Sequence, residues 1–195
     1  MEAKSTGNVV KSLGEVRRYE LMMAGLGGQG VLLATQLLIS SGISEFLYAS
    51  WFPSYATLVR GGDCEGTAIL SDEPIYSPLI YYPKALILMN QTSLESFSER
   101  IRSGCLLILD SSLIKDWTDR EDVETVKVPA TDQAASLGSS QSANLLLLGV
   151  YLKKTGALGL DLVEKTLHER MTQENKESFL PKNMEALRWG YHHFD

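Results

Sequence analysis

From Tyr19 onward, short apolar runs alternate with amphipathic stretches, and this alternation predicts the elements of the chain. Strands are expected at residues 19–24, 46–50, 67–70, 84–89, 105–110 and 124–128. Several are apolar at nearly every position, as in Ala85-Leu86-Ile87-Leu88-Met89 and Leu106-Leu107-Ile108-Leu109. Such runs suit central strands covered on both faces. Helices are expected between them. Residues 30–41 are apolar almost all round, with Gly42 as the C-terminal cap. Residues 93–102 follow Thr92-Ser93-Leu94-Glu95, a capping-box pattern. Residues 142–153 carry Leu145, Leu148 and Leu152 on one stripe. A helix opened by Asp161 runs toward Met171, and residues 185–193 form a last one. Strands and helices alternate first, and helices follow alone. This order predicts a three-layer α/β/α sandwich with a mostly parallel, Rossmann-like sheet. Residues 1–18 are polar and aperiodic and read as a flexible arm, leaving 19–195 as a single domain.

Composition narrows the function. The chain has 195 residues, 24 acidic and 18 basic, for a net charge of −6. This acidic balance argues against nucleic acid, which demands clustered cations. Only Cys64 and Cys105 are present, whereas an iron–sulfur cluster held by thiolates takes four. No CxxC, no secretory h-region and no apolar stretch of about 20 residues is found, so a reducing cytoplasmic setting is expected. His168, His192 and His193 are expected on helix surfaces, and neither a nucleophile elbow nor H-E-x-x-H occurs. No catalytic residue and no metal ligand set is assigned.

The strongest local signal is Gly25-Leu26-Gly27-Gly28-Gln29-Gly30, between a strand and a helix. Gly25, Gly27 and Gly30 satisfy G-x-G-x-x-G, whose glycines allow a tight turn and whose helix N-terminus presents free N–H groups to an anion. Tight helix–strand packing is the plainer alternative. A dinucleotide fingerprint also requires an acid at the end of the second strand, and Ser50-Trp51 stand there instead. The second unusual segment runs from Trp51 and Phe52 through Ser54 and Tyr55 to Arg60, Gly61 and Gly62. Aromatics around one arginine suit a pocket rim or an interface hot spot, and equally an extension of the core. Asn90 and Gln91, like Asp110-Ser111-Ser112, end strands where ligand-facing residues and helix caps are both at home. Thr131 reads as a cap.

Taken together, the glycine motif, Phe52-Pro53-Ser54-Tyr55, Arg60-Gly61-Gly62, Ser71-Asp72-Glu73-Pro74, Asn90-Gln91, Asp110-Ser111-Ser112, Val128-Pro129-Ala130-Thr131, Ala143-Asn144, Leu148-Gly149 and Thr155-Gly156 resemble one family. It is the gamma subunit of the 2-oxoacid:ferredoxin oxidoreductases, in the version of the 2-oxoglutarate and branched-chain 2-oxoacid enzymes. The resemblance implies a complex that makes acyl-CoA and CO2 from a 2-oxoacid and coenzyme A while reducing ferredoxin. It places thiamine diphosphate and the iron–sulfur clusters on alpha, beta and delta partner subunits. This chain then holds no redox cofactor of its own, is inactive alone, and lines the coenzyme A side of the cleft. An exposed partner surface, expected at the aromatic segment, implies self-association of the isolated chain. A free-standing NAD-dependent enzyme and a ligand-free scaffold are the alternatives. The chain departs from the family pattern at Ala56, Thr57 and Leu58, where Gly-x-Glu is usual, and at Asp63-Cys64-Glu65-Gly66.

Overall fold

The uninterrupted apolar runs form the centre of one sheet. In the computed structural model, which describes residues 16–55, 63–117 and 119–194, six strands and six α-helices follow in order. They are β1 (Arg18–Leu26), α1 (Val31–Gly42), β2 (Tyr48–Tyr55), β3 (Asp63–Ser71), β4 (Ala85–Leu88), α2 (Gln91–Phe97), β5 (Leu106–Asp110), β6 (Glu124–Val128), α3 (Ala130–Ser136), α4 (Ala143–Thr155), α5 (Leu160–Gln173) and α6 (Leu180–His192). The sheet order is β2-β3-β1-β4-β5-β6. β1, β4, β5 and β6 pair in parallel, and β3 lies antiparallel between β2 and β1. The expected sandwich is therefore observed with a mixed sheet. Residues 56–62 between β2 and β3 are too few for the crossover of about a dozen residues that parallel pairing requires, so these two strands form a hairpin.

The pleat of β1 divides the core. Leu21 and Met23 pack with α1, α4, α5 and α6, whereas Met22 and Ala24 face Leu94 and Phe97 of α2. The first side is the thicker. α4 is buried along Ala143–Leu152, which explains why its sequence is apolar on every side rather than on one stripe. α6 covers it at very close range. A Cβ added to Gly149 or Gly190 would run into the backbone of the other helix, at Leu187 and Leu146 respectively.

Several boundaries differ from those the sequence predicts, each for a physical reason. β2 continues through Trp51–Tyr55, read from sequence as a loop. Pro53 is tolerated because β2 is an edge strand. Asn90, not Thr92, caps α2, its Oδ1 accepting from Ser93 N–H at 2.9 Å. Gly159 precedes α5, and Asp161 lies in its first turn. Gly42 is the last residue of α1, and a Cβ there would meet Leu70 Cδ1 at 2.5 Å, so it spaces helix from strand rather than capping. The helix α3 escapes the sequence patterns because its cap comes from elsewhere. Buried Asp110 accepts from Ala130 N–H at 3.0 Å and Thr131 N–H at 3.3 Å, and Thr131 also donates its hydroxyl to it. Thr131 is thus capped rather than capping. At the start, Arg17 belongs to the folded body and not to an arm. It donates to both Asp72 oxygens and lies 4.4 Å from the Phe46 ring centre. Residues 1–15 lie outside the described residues. Among the described residues, no helix is long and apolar enough to cross a membrane.

α5 and α6 are clamped by Arg188, which donates to the two oxygens of Glu164 at 2.6 and 2.9 Å. Its guanidinium holds the Glu164 carboxyl below the usual carboxylate range. A depressed carboxyl contributes stability above its unfolded pKa and loses it as pH falls through the folded one. Because Arg188 is more than half exposed, Arg188→Gln should cost only about 0.5–1 kcal/mol at pH 7. Urea unfolding should show that difference closing in acid, below the usual range of glutamate.

Candidate functional site

All strands that run parallel to β1 end at one edge, and the segments singled out in the sequence gather there. β1 delivers Gly25 and Leu26 to this edge, opposite Cys64 and Asp63 at the start of β3. Tyr55, the last residue of β2, pairs with the same Cys64, and Ser54 with Glu65. The glycine loop and the end of the aromatic strand therefore lie at the same edge, on either side of β3. Ser54 is exposed there. Arg60, Gly61 and Gly62 lie outside the described residues, though Tyr55 and Asp63, which flank them, lie at this edge.

The loop owes its shape to local conformation. Gly28 at φ 99° and Gly30 at φ 77° occupy left-handed backbone, which side chains disfavour. Gln29 turns inward between them. Its Oε1 accepts from Leu26 N–H at 2.7 Å and from Asn90 Nδ2 at 2.8 Å, tying the loop to the end of β4. Asn90 is consumed by this contact and by its cap on Ser93. Gln91 Oε1 accepts from the N–H groups of Lys115 and Asp116 at 3.3 Å and fastens the segment after β5. Gln29, Asn90 and Gln91 are thus brought together as the bracing of the edge, while Gly27 and Gly28 are its exposed tip.

One residue of this edge had no assigned role in the sequence. Asn144, 3% exposed, is the polar residue at the start of α4, ahead of the buried run Leu145–Leu152. Its Nδ2 donates to Gly30 O at 2.9 Å, and a Cβ on Gly30 would strike this amide. A lone amide opening a leucine run is the signal that marks it. Gly28 stands between two clefts. The larger, about 320 Å³, is lined by Gly28, Gly30, Gln141, Asn144, Lys176 and Phe179 among others. The smaller, about 200 Å³, includes Gly28, Gln29, Met89, Thr131 and Ser140. No side chain caps α1, and no acid lies in its first turn, so its N-terminus offers donors to this space. This is an arrangement able to receive an anion.

The edge also bears on dinucleotide chemistry. In a Rossmann enzyme the strand with the ribose-holding acid lies beside β1. Here antiparallel β3 separates the two, and β2 ends in Ser54-Tyr55. The thiols do not favour reactivity either. Burial pushes the Cys105 thiol up to about 11, and it also raises that of Cys64.

The family model described as pyruvate ferredoxin/flavodoxin oxidoreductase matches residues 20–193. The chain belongs to this family. Ketoisovalerate oxidoreductase subunit VorA of Methanothermobacter marburgensis is 32% identical over 178 residues, covering 90% of this chain and 36% of VorA. The chain thus spans about a third of the length of that relative. 2-Oxoglutarate synthase subunit KorC of the same organism is 28% identical over 180 residues, covering 89% of this chain and 95% of KorC. Among solved structures, the keto/oxoacid ferredoxin oxidoreductase gamma subunit of Geobacter sulfurreducens superposes with a TM-score of 0.74 at 26% identity. It covers 90% of this chain and 95% of that one. The 2-oxoglutarate:ferredoxin oxidoreductase of Magnetococcus marinus shares the fold, with a TM-score of 0.79 at 19% identity over 89% of this chain and 30% of that one. The gamma-type domain indicated by the motifs is the one these comparisons return. Within the pyruvate ferredoxin/flavodoxin oxidoreductase family it occurs both as most of a chain, in KorC, and as part of a larger one, in VorA.

Proposed function

We propose that this chain is the gamma component of a 2-oxoacid:ferredoxin oxidoreductase and shapes the coenzyme A side of its cleft. The reaction joins the acyl group of a 2-oxoacid to the coenzyme A thiol, releases CO2, and passes the electron pair left behind to ferredoxin. The observation that carries this reading is the family match over residues 20–193, which takes in the glycine loop, the β2–β3 edge and Asn144 together.

The residues present do not fit an iron–sulfur cluster. Cys64 and Cys105 are two thiols where four are needed, and among the described residues no group of three His, Cys, Asp or Glu side chains is placed to hold a metal. Clusters therefore belong to partner subunits in this reading, and the family resemblance puts thiamine diphosphate there as well. Thiamine diphosphate supplies the chemistry that takes up the acyl carbon as CO2 leaves. This chain's own part is binding: the α1 N-terminus and the loop tip at Gly27 and Gly28 offer N–H donors to a phosphate of coenzyme A. Ser54, Tyr55, Arg60, Gly61 and Gly62 would approach the same ligand from the β2–β3 connection, and Gln29, Asn90 and Gln91 would hold the edge rigid beneath it.

A tagged copy of the chain should bring down the alpha, beta and delta subunits. The assembly should reduce methyl viologen only when a 2-oxoacid and coenzyme A are both supplied, and the chain alone should not. Viologen reduction by the isolated chain, or an assembly indifferent to coenzyme A, would overturn the reading.

A further inference from the structure

The residues between β3 and β4 lie at the opposite end of the sheet from the glycine loop, and four large apolar or aromatic side chains among them face solvent. Tyr76 is 95% exposed, Leu79 65%, Tyr81 54% and Tyr82 46%. Trp51, by contrast, is half-buried and donates its indole N–H to Thr35 of α1. Among the residues whose exposure is described, the most exposed aromatics are thus not in the segment that the sequence marks for a partner, where Phe52 is 38% exposed. The loop is stiffened in advance by Pro74, Pro78 and Pro83, and by Ser77, whose hydroxyl oxygen accepts from Leu79 N–H at 3.1 Å. Tyr81 and Tyr82 pack edge to face at 4.8 Å. Arg100 lies 5.1 Å from the Tyr81 ring centre, and Arg102 lies 3.9 Å from that of Tyr82.

We propose that this loop is the docking surface for another subunit of the oxidoreductase, one that presents an apolar patch carrying a carboxylate. The proposal rests on the function proposed above. Three observations choose this occupant. The exposed parts of these four side chains amount to on the order of 400–500 Å², roughly half of what one partner gives to a standard interface. Rigid tyrosines beside arginine are the chemistry of interface hot spots, because they bury much area and lose little entropy. Finally, Arg100 is paired with Glu65 at 3.2 Å, whereas exposed Arg102 stands over the Tyr82 ring at 3.9 Å, a cation beside the apolar patch that a carboxylate on the partner would complement. A second copy of the chain fits worse. A two-fold contact centred on the Tyr82–Arg102 stack would set Arg102 against its own image. VorA, in which this domain is 36% of the chain, shows the domain joined to a larger body in a relative.

The test uses the complex purified through a tag on this chain, with subunits identified by mass spectrometry. Tyr76→Glu with Leu79→Glu changes only exposed side chains and should leave the unfolding midpoint of the chain unchanged. It should weaken assembly at least about 100-fold. Arg102→Gln should weaken it less and flatten its dependence on salt. Amides of residues 76–82 should exchange more slowly in the complex than in the free chain. Unchanged assembly of the folded double variant would overturn the surface alone, because the wild-type chain still binds. A wild-type chain that binds no oxidoreductase subunit would overturn the function on which it rests. A self-association of the free chain that the double variant abolishes would assign the surface to a second copy and also overturn the proposal.

Discussion

Replacing Gly190 with alanine should destabilise the chain by roughly 2–3 kcal/mol, although alanine is the better helix former by about 1 kcal/mol. The sign is decided by α4. A methyl group at position 190 would overlap the backbone carbonyl of Leu146, and a carbonyl cannot rotate aside as a side chain can. Nor can α4 retreat as a body. Leu145, Leu146, Leu147 and Leu148 are all within 1% of complete burial, and α4 packs toward the sheet on its far side. The strain must therefore open the α4–α6 contact, which loses apolar burial along Leu187, or distort α6. Gly149→Ala should act in the same direction, since its methyl would meet Leu187 O. Gly159→Ala is the control. Its Cβ meets nothing within 4 Å, so the change should stay within about 1 kcal/mol. Urea unfolding of the three variants checks this. A Gly190→Ala protein as stable as the wild type would mean that the two helices do not approach so closely.

The same helix pair shows what a single sequence discloses. The strands β4 and β5 are legible because burial on both faces leaves them apolar throughout, or nearly so, between polar flanks, whereas edge strand β6 shows alternation, with Val126 and Val128 buried and Glu124 and Lys127 exposed. α4 is legible as a helix, but its sequence does not reveal that Gly149 faces Gly190, a relation between residues far apart in the chain. The β2 boundary was obscured by Pro53, whose tolerance depends on β2 lying at an edge. α3 was invisible because its cap, Asp110, comes from another strand end. The candidate site divides in the same way. Gly28 and Gly30 are legible because a left-handed backbone is a local demand that glycine meets. The bracing by Gln29, Asn90 and Gln91 is legible only as a set of polar residues at strand ends, which suits a ligand or a cap equally well. The contact from Asn144 to Gly30 spans 114 positions and has no local trace. The tyrosines at 76–82 pose the opposite problem: tyrosine between prolines reads as core or as surface until the fold is known.

A charge placed at Gly28 should separate the ligand reading of the glycine loop from the packing one. Gly28 is exposed, stands between the two clefts, and has nothing within 4 Å of its Cβ position, so a side chain there meets no neighbour. The remaining obstacle is its φ of 99°. Asn and Asp tolerate left-handed backbone better than other side chains, and they share one shape. Gly28→Asn and Gly28→Asp should therefore suffer the same backbone cost, of order 1 kcal/mol, and differ only in charge. If the α1 N-terminus receives a phosphate of coenzyme A, a carboxylate some 5 Å away repels it by about 1–3 kcal/mol, the range between aqueous and partly buried screening. The Asp variant of the assembled enzyme should then show a KM for coenzyme A about 5- to 150-fold above that of the Asn variant. The KM for the 2-oxoacid and the extent of assembly should match between the two. Raising the salt concentration should narrow the gap, because the repulsion is screened at an exposed site. Equal coenzyme A constants for the two variants would leave the glycines a purely structural task, the close seating of α1 against β1. A loss of assembly in both would instead place the loop tip in a subunit contact. Only a difference that follows charge at constant shape assigns the edge to an anion.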